Sequence, residues 1–169
     1  MENLQKIISE IIAEFIPNFM SVDEISRLSG GSSNESWKID INTKEDKKTL
    51  VFRRTPGGNL KDEESNNFVD IADEAKVMDI AKDFDVPVPE ILKVINHKDI
   101  GKGFFMQFIE GETLGNRIVN NEEFEKVRSM LAEKCGEIIA NIHKIPISKF
   151  NNIRTSEACL LYTSQSPRD

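Results

Sequence analysis

The run Leu4, Ile7, Ile8, Ile11, Ile12, Phe15 and Phe19 reads as an amphipathic helix that ends near Pro17. Glu10 and Glu14 interrupt its apolar face and no basic leader precedes it, so it is not a targeting segment. Ile25 to Leu28 then reads as a short strand broken by Gly30 and Gly31. Beyond the glycines, Trp37, Ile39 and Ile41 alternate with Ser36, Lys38 and Asp40 at the two-residue period of a half-buried strand. The connection Asn42 to Lys48 is wholly polar and leads to Leu50-Val51-Phe52-Arg53. Alternation there puts Val51 and Arg53 on one face and Leu50, Phe52 and Arg54 on the other. A small antiparallel sheet with a cation beside a glycine turn is the expected result, with Arg53 the only cation on its face.

Thr55-Pro56-Gly57-Gly58 is a turn, and Asn59 to Asn67 is a polar, acidic loop without apolar periodicity, expected to be disordered. A helix is expected from about Phe68, with Ile71, Glu74, Met78 and Ala81 on one stripe. A carboxylate on that stripe is costly unless paired. Arg53 is the obvious cation for Glu74, the alternative being a solvated Glu74 at the stripe's edge. Val86-Pro87-Val88-Pro89 ends the helix. Ile91 to Ile95 and Phe104 to Ile109 read as strands joined by an Asn96 to Gly103 turn, giving five strands with one helix inserted after the third. Glu110 to Leu114 closes the sheet and starts a short helix. The last long element, capped near Asn120 or Asn121 and stopped by Pro146, carries Phe124, Val127, Leu131, Cys135, Ile138 and Ile142 on one stripe. Cys135 there is expected to be a small buried hydrophobe, and His143 a structural histidine favoured by the helix dipole rather than a ligand.

At 169 residues the chain holds one domain or a lobe and a half, and its 38% hydrophobic and 30% charged residues are ordinary for a globular protein. A net charge of −7 disfavours nucleic acid or an anionic membrane as partner. Two cysteines, Cys135 and Cys159, give neither a disulfide framework nor a metal spacing, which suits a reducing, cytoplasmic compartment. No stretch approaches the length of a membrane span. The glycine turn is the candidate chemistry. Paired glycines allow positive φ and let backbone N–H groups approach an anion, with Ser32, Ser33 and Asn34 as further donors. The plain alternative is a hairpin with a polar tip. Neither Gly-x-Gly-x-x-Gly before a helix nor Gly-x-x-x-x-Gly-Lys-Ser/Thr occurs.

The segment Cys159 to Asp169, Cys-Leu-Leu-Tyr-Thr-Ser-Gln-Ser-Pro-Arg-Asp, resembles a translated sequencing adapter, differing from the usual form at Gln165. It is set aside from fold reasoning. The reading it suggests is an open frame cut short near Ala158 in a longer native protein; the alternative is a genuine disordered tail.

In order and wording the blocks Leu28-Ser-Gly-Gly-Ser-Ser-Asn-Glu-Ser-Trp37, Leu50-Val-Phe-Arg-Arg54, Val86-Pro-Val-Pro-Glu90 and Met106-Gln-Phe-Ile-Glu-Gly111 resemble the aminoglycoside phosphotransferase family, which includes choline-kinase-like enzymes. The resemblance runs from about Ile25 to Pro146. It implies an α+β protein-kinase-like N-terminal lobe over residues 21–110, preceded by the helix at 1–20 and followed over 111–158 by the exit from the hinge and the start of a truncated helical lobe, with 159–169 as the non-native tail. It further implies that Gly30, Gly31, Ser32, Ser33 and Asn34 cover the phosphates of ATP. Arg53 falls where such kinases place a phosphate-binding lysine, and Glu74 where a helix glutamate holds that cation. Met106 to Glu110 becomes the hinge, the Gln107 carbonyl and Ile109 amide face adenine, and Val51 packs on its ring.

Arginine in place of lysine is a departure, because its larger fork binds phosphate and carboxylate differently. The family's His-Gly-Asp-x-x-x-x-Asn loop and later metal-binding Asp are absent, His143 being followed by Lys144 and Ile145. The expectation is therefore the N-terminal part of an ATP-dependent phosphotransferase acting on a small-molecule hydroxyl acceptor. Its Mg²⁺ ligands and base are expected in the missing lobe, so the chain itself should be inactive. Two readings of other classes stand beside it, a nucleotide-binding pseudokinase and a small α+β binding module. A protein kinase proper is disfavoured because the spaced three-glycine loop is missing. Uncovered, the C-terminal apolar stripe is expected to make the chain self-associate.

Overall fold

The computed structural model describes residues 2–28, 34–55, 70–151 and 153. Gly30, Gly31, Ser32 and Ser33, the turn beyond Thr55, the acidic loop, the Phe68 helix start and the segment from Cys159 lie outside the described residues.

Five strands, β1 (Phe19–Arg27), β2 (Glu35–Thr43), β3 (Lys47–Arg54), β4 (Ile91–His97) and β5 (Gly101–Gln107), form one antiparallel sheet in the order β1-β2-β3-β5-β4. The α+β class, with a five-stranded antiparallel sheet and one helix after the third strand, is as the sequence predicts. Helix α1 (Glu2–Phe15) buries Ile7, Ile8, Ile11 and Ile12 in one core with Ile39, Ile41, Leu50, Phe52, Ile100 and Phe105. Full burial of side chains of this size contributes about 1.5–3 kcal/mol each. Helix α2 (Ile71–Lys82) lies on the opposite face, where Ile71 and Ala75 meet Phe104, with Met78, Ile91 and Met106 packed alongside. Leu50, Val51 and Phe52 are consecutive and all buried, which is possible only because both faces of β3 are covered.

The strand limits differ from the sequence reading for local reasons. β1 begins at Phe19 rather than Ile25 because two register irregularities, between Phe19 and Ser21 and between Val22 and Glu24, put Phe19, Val22 and Ile25 on the α1 side at intervals of three. The β2–β3 turn is shorter than the polar run suggests. Thr43 Oγ1 accepts from the Glu45 and Asp46 N–H groups at 3.2 and 3.0 Å and donates to Asp46 Oδ1 at 2.7 Å, so polar residues carry both strands into the turn. β4 runs to His97, and β5 stops at Gln107 rather than Ile109. Helix α2 starts at Ile71, where Asp70 caps it by accepting from the Ala72 N–H at 2.9 Å.

The C-terminal region divides into α3 (Gly115–Asn120), a 3-10 turn (Glu122–Phe124), α4 (Glu125–His143) and a second 3-10 turn (Ile147–Phe150). Arg128 Nη1 joins the first three by donating to the Ile118 and Asn121 carbonyls at 2.9 and 2.7 Å. Val127, Met130, Leu131, Ile139 and Ile142 are exposed. Cys135 is exposed with them rather than buried, whereas Phe124 and Ile138 of the same stripe are half-buried, so the described residues cover the stripe only in part.

At the end of the sheet nearest residue 28, the α1 face carries a desolvated ionic cluster. Arg54 Nη2 and Nε reach Glu35 Oε2 at 2.9 and 3.0 Å, Arg27 Nη2 stands 3.5 Å from Glu35 Oε1, and Arg54 Nη1 donates to the Ile100 carbonyl at 3.4 Å. The Leu28 N–H bonds the Ser36 carbonyl at 2.8 Å, closing the β1–β2 ladder here. Burial alone pushes the Glu35 carboxyl up, but the Arg54 bond and the charges of Arg54 and Arg27 outweigh it and hold the carboxyl below its ordinary range. On the strand next to this cluster, Gly103 lets β3 come close: a Cβ there would sit 2.6 Å from the Arg53 carbonyl oxygen and 2.8 Å from Phe52 Cε2.

Gly103→Ala must therefore push apart two hydrogen-bonded strands rather than a flexible side chain. Urea unfolding should show a loss of about 1–3 kcal/mol; an unchanged midpoint would mean the close approach relaxes in solution. For Glu35, a carboxyl more acidic in the folded than in the unfolded chain adds stability that is complete above its unfolded pKa and is lost as pH falls through the folded one. The stability difference between wild type and Glu35→Gln should accordingly be largest near neutrality and shrink as pH drops below the carboxyl's ordinary 4.5. A difference constant across that range would remove Glu35 from the acid limb.

Candidate functional site

Arg53 and Arg54 are adjacent on β3, so the pleat sends them to opposite faces. Arg53 faces α2. Its Nε donates to Glu74 Oε1 at 2.7 Å and its Nη1 to Ser36 Oγ at 3.2 Å, while Asn34 Nδ2 donates to Glu74 Oε2 at 3.3 Å. The pair expected from the helix stripe is thus formed, and Glu74 also ties in the residue just after the glycine turn. Both side chains are about a quarter exposed, 27% for Arg53 and 28% for Glu74, so the pair is reachable by a ligand. Glu74 sits in the acidic first turn of α2, where the helix dipole favours a carboxylate. Among the described residues Arg53 Nη2 has no partner, which leaves one edge of the fork available.

The other residues singled out by the resemblance fall along the same face. Val51 stands opposite Met106 on β5, one two-residue step from Arg53, and is 5% exposed. Gln107 is the last strand residue; its N–H bonds the Glu90 carbonyl at 2.9 Å. Ile109 lies beyond the strand with its side chain exposed, and its N–H makes no hydrogen bond to another described residue. Asn34, Arg53 and Glu74 are therefore joined by direct bonds, Val51 and Met106 line the adjoining rung, and Gln107 and Ile109 mark the exit from β5.

Arg53 is not the only cation on its face. Cross-strand partners share a face, and the ladder pairs Lys38 with Val51 and Ser36 with Arg53, so Lys38 stands beside the site. Alternation along β3 and β5 puts Lys47 and Lys102 on that side as well, paired with Asp23 and Asp70 at 3.0 and 2.9 Å. Lys38 and Ser36 were visible in the sequence as the polar half of an alternating strand. Only the β2–β3 register shows which site they border. No group of His, Cys, Asp or Glu among the described residues is disposed to hold a metal ion. A shallow depression of about 430 Å³ lies between α1 and β1, lined by residues such as Gln5, Glu10 and Met20, on the face away from this site, and it carries no chemistry. No described helix is long and apolar enough to cross a membrane.

Residues 24–163 match the model of the phosphotransferase enzyme family. Among solved structures the chain is similar to a protein from Ralstonia eutropha described as an aminoglycoside phosphotransferase, with a TM-score of 0.61 and 19% identity. That match covers 86% of this chain and 40% of the other, so the chain spans less than half the length of that neighbour and the likeness is one of fold. No curated protein matches the chain.

The Arg53 and Glu74 pair can be weighed by a double-mutant cycle of Arg53→Gln and Glu74→Gln in urea. At this exposure a coupling of about 0.5–1 kcal/mol is expected. Zero coupling would mean that the two side chains do not meet in solution.

Proposed function

The chain belongs to the phosphotransferase enzyme family, and from that premise we propose that it forms the nucleotide-binding part of an ATP-dependent enzyme transferring the γ-phosphate to a hydroxyl of a small molecule. The observation that carries this reading is the Arg53–Glu74 ion pair at 2.7 Å, which joins β3 to α2 beside Asn34 and leaves Arg53 Nη2 without a partner among the described residues. Phosphoryl transfer is driven by positioning and charge neutralisation. In this reading Arg53 takes the phosphates, Glu74 fixes its orientation, and Gly30 to Asn34 supply backbone and side-chain donors to the same anion. Val51 receives the base, with the Gln107 carbonyl and Ile109 N–H at its polar edge. In this reading an ATP-dependent enzyme, with Cys135 a free thiol among the described residues, belongs in the cytoplasm.

Mg²⁺, when bound with ATP, would neutralise phosphate charge; we assign no residue of this chain to it, since the described residues offer no ligand set. The sequence also holds no His-Gly-Asp-x-x-x-x-Asn loop. Binding is therefore assigned to these residues and chemistry is not.

Titration calorimetry with ATP tests the reading. The wild-type chain should bind weakly. Arg53→Ala should weaken that binding about ten-fold or more, the size of a lost charge-assisted hydrogen bond. Glu74→Gln should weaken it more than Asp73→Asn, because Asp73 pairs with Lys76 instead. Added magnesium should change it little, and a coupled ADP assay should find no transfer. Absence of any ATP binding would favour a plain binding module. ADP release lost in Arg53→Ala would place catalysis within this chain and overturn the division of roles.

A further inference from the structure

Lys38 has no role in the site described above, and its surroundings suggest one. It stands opposite Val51 in the β2–β3 ladder. Its Nζ lies 3.0 Å from Asp40 Oδ2 and 5.6 Å from the centroid of the Phe108 ring, within reach of cation–π attraction. Asp40 is itself held by Thr49 Oγ1 at 2.6 Å. Phe108 is the first residue after β5, free of the strand ladder, and its ring is half-buried on this face. Val51, on which a base would dock, is 5% exposed, and the ammonium of Lys38, the residue opposite it, sits over the Phe108 ring.

We propose that Lys38 is a base-contacting residue: the flat ring of a nucleotide base docks on Val51 and takes the place of the Phe108 ring beneath the Lys38 ammonium. The inference rests on the reading of Val51 as the base patch. Exchange of one aromatic face for another keeps the cation–π contact, whereas an unfilled patch would leave apolar side chains wet. The position of Asp40 decides between base and phosphate. Along β2, Ser36 is the neighbour of Lys38 on the Arg53 side and Asp40 the neighbour on the other. The carboxylate therefore tethers the ammonium away from the guanidinium, at the base end. The same carboxylate would oppose a polyphosphate drawn toward Lys38.

Adenosine, ADP and ATP titrated into wild type and Lys38→Met separate the possibilities, since Met keeps the stem and removes the charge. Binding should weaken about three-fold for all three ligands alike, the size of a cation–π contact at a partly exposed site, and Lys38→Arg should restore it. Phe108→Ala, which removes the competing ring, should bind adenosine more tightly than wild type. A loss that grows from adenosine to ATP would make Lys38 a phosphate ligand and overturn the proposal, as would unchanged binding in Lys38→Met or weaker binding in Phe108→Ala. Thermal unfolding of each variant separates a lost contact from a lost fold. If wild type binds ATP in an Arg53-dependent way and Lys38→Met leaves every ligand unchanged, this inference alone fails. If wild type binds none of the three, the nucleotide reading fails and this inference with it.

Discussion

Two adjacent arginines at the end of a strand cannot face the same way, and the site depends on that constraint. The pleat sends Arg53 toward α2 and Arg54 toward α1, and each guanidinium meets a carboxylate at 3 Å or less: Glu74 for Arg53 and Glu35 for Arg54. The two pairs have different physics. Arg54 and Glu35 are nearly dry, 11% and 12% exposed, so removing either partner leaves a buried charge; the pair fixes how β1, β2, β3 and the Ile100 turn meet more than it adds net stability. Arg53 and Glu74 are wetter and worth less as a bond. Their value lies in presenting a charge where a ligand can reach it.

That division works only because both faces of β3 are covered. Helix α1 covers the Leu50 and Phe52 side, where Phe52 stacks on Phe105 with centroids 4.6 Å apart. Helix α2 covers Phe104 on the other. The absence of a side chain at Gly103 allows β5 to approach β3 next to the two arginines. Packing on both sides of the strand holds Val51 and Arg53 two residues apart on one face of β3.

Much of this was legible in the sequence wherever burial is one-sided and regular. The Ile7–Ile8–Ile11–Ile12 face, the alternation through Trp37, Ile39 and Ile41, and the split of Val51 and Arg53 from Leu50 and Phe52 each carry a clean period. The Arg53–Glu74 pair is one of two readings that a carboxylate among apolar helix positions allows, the other being a solvated glutamate, and the 2.7 Å contact decides between them. Irregular and polar features were not legible. β1 carries two register shifts that turn a two-residue period into intervals of three, so its first half does not read as a strand. The strand ends around Thr43 and His97 are held by polar groups, which pattern reading assigns to loops. Lys38 reads only as the polar half of a strand, because single-strand alternation does not reveal which cross-strand neighbour a residue faces. Cys135 reads as buried because a helical stripe shows which side is apolar and not whether anything covers it, and it is exposed.

Arginine rather than lysine at position 53 follows from the same geometry. An ammonium is one point of charge, so a lysine there would meet Glu74 and an incoming anion with the same nitrogen. The guanidinium separates these tasks. Among the described residues Nε is committed to Glu74 and Nη1 to Ser36, while Nη2 has no partner. For the nucleotide proposed above the separation would matter, because a polyanion approaching a chain of net charge −7 meets an unfavourable overall field. Attraction must come from a local cation whose counter-charge is held on its far side. Glu74, drawn to the helix end by α2 and bonded through its second oxygen to Asn34, is such a counter-charge. It orients the fork from the α2 side, the arrangement on which the proposed nucleotide reading rests.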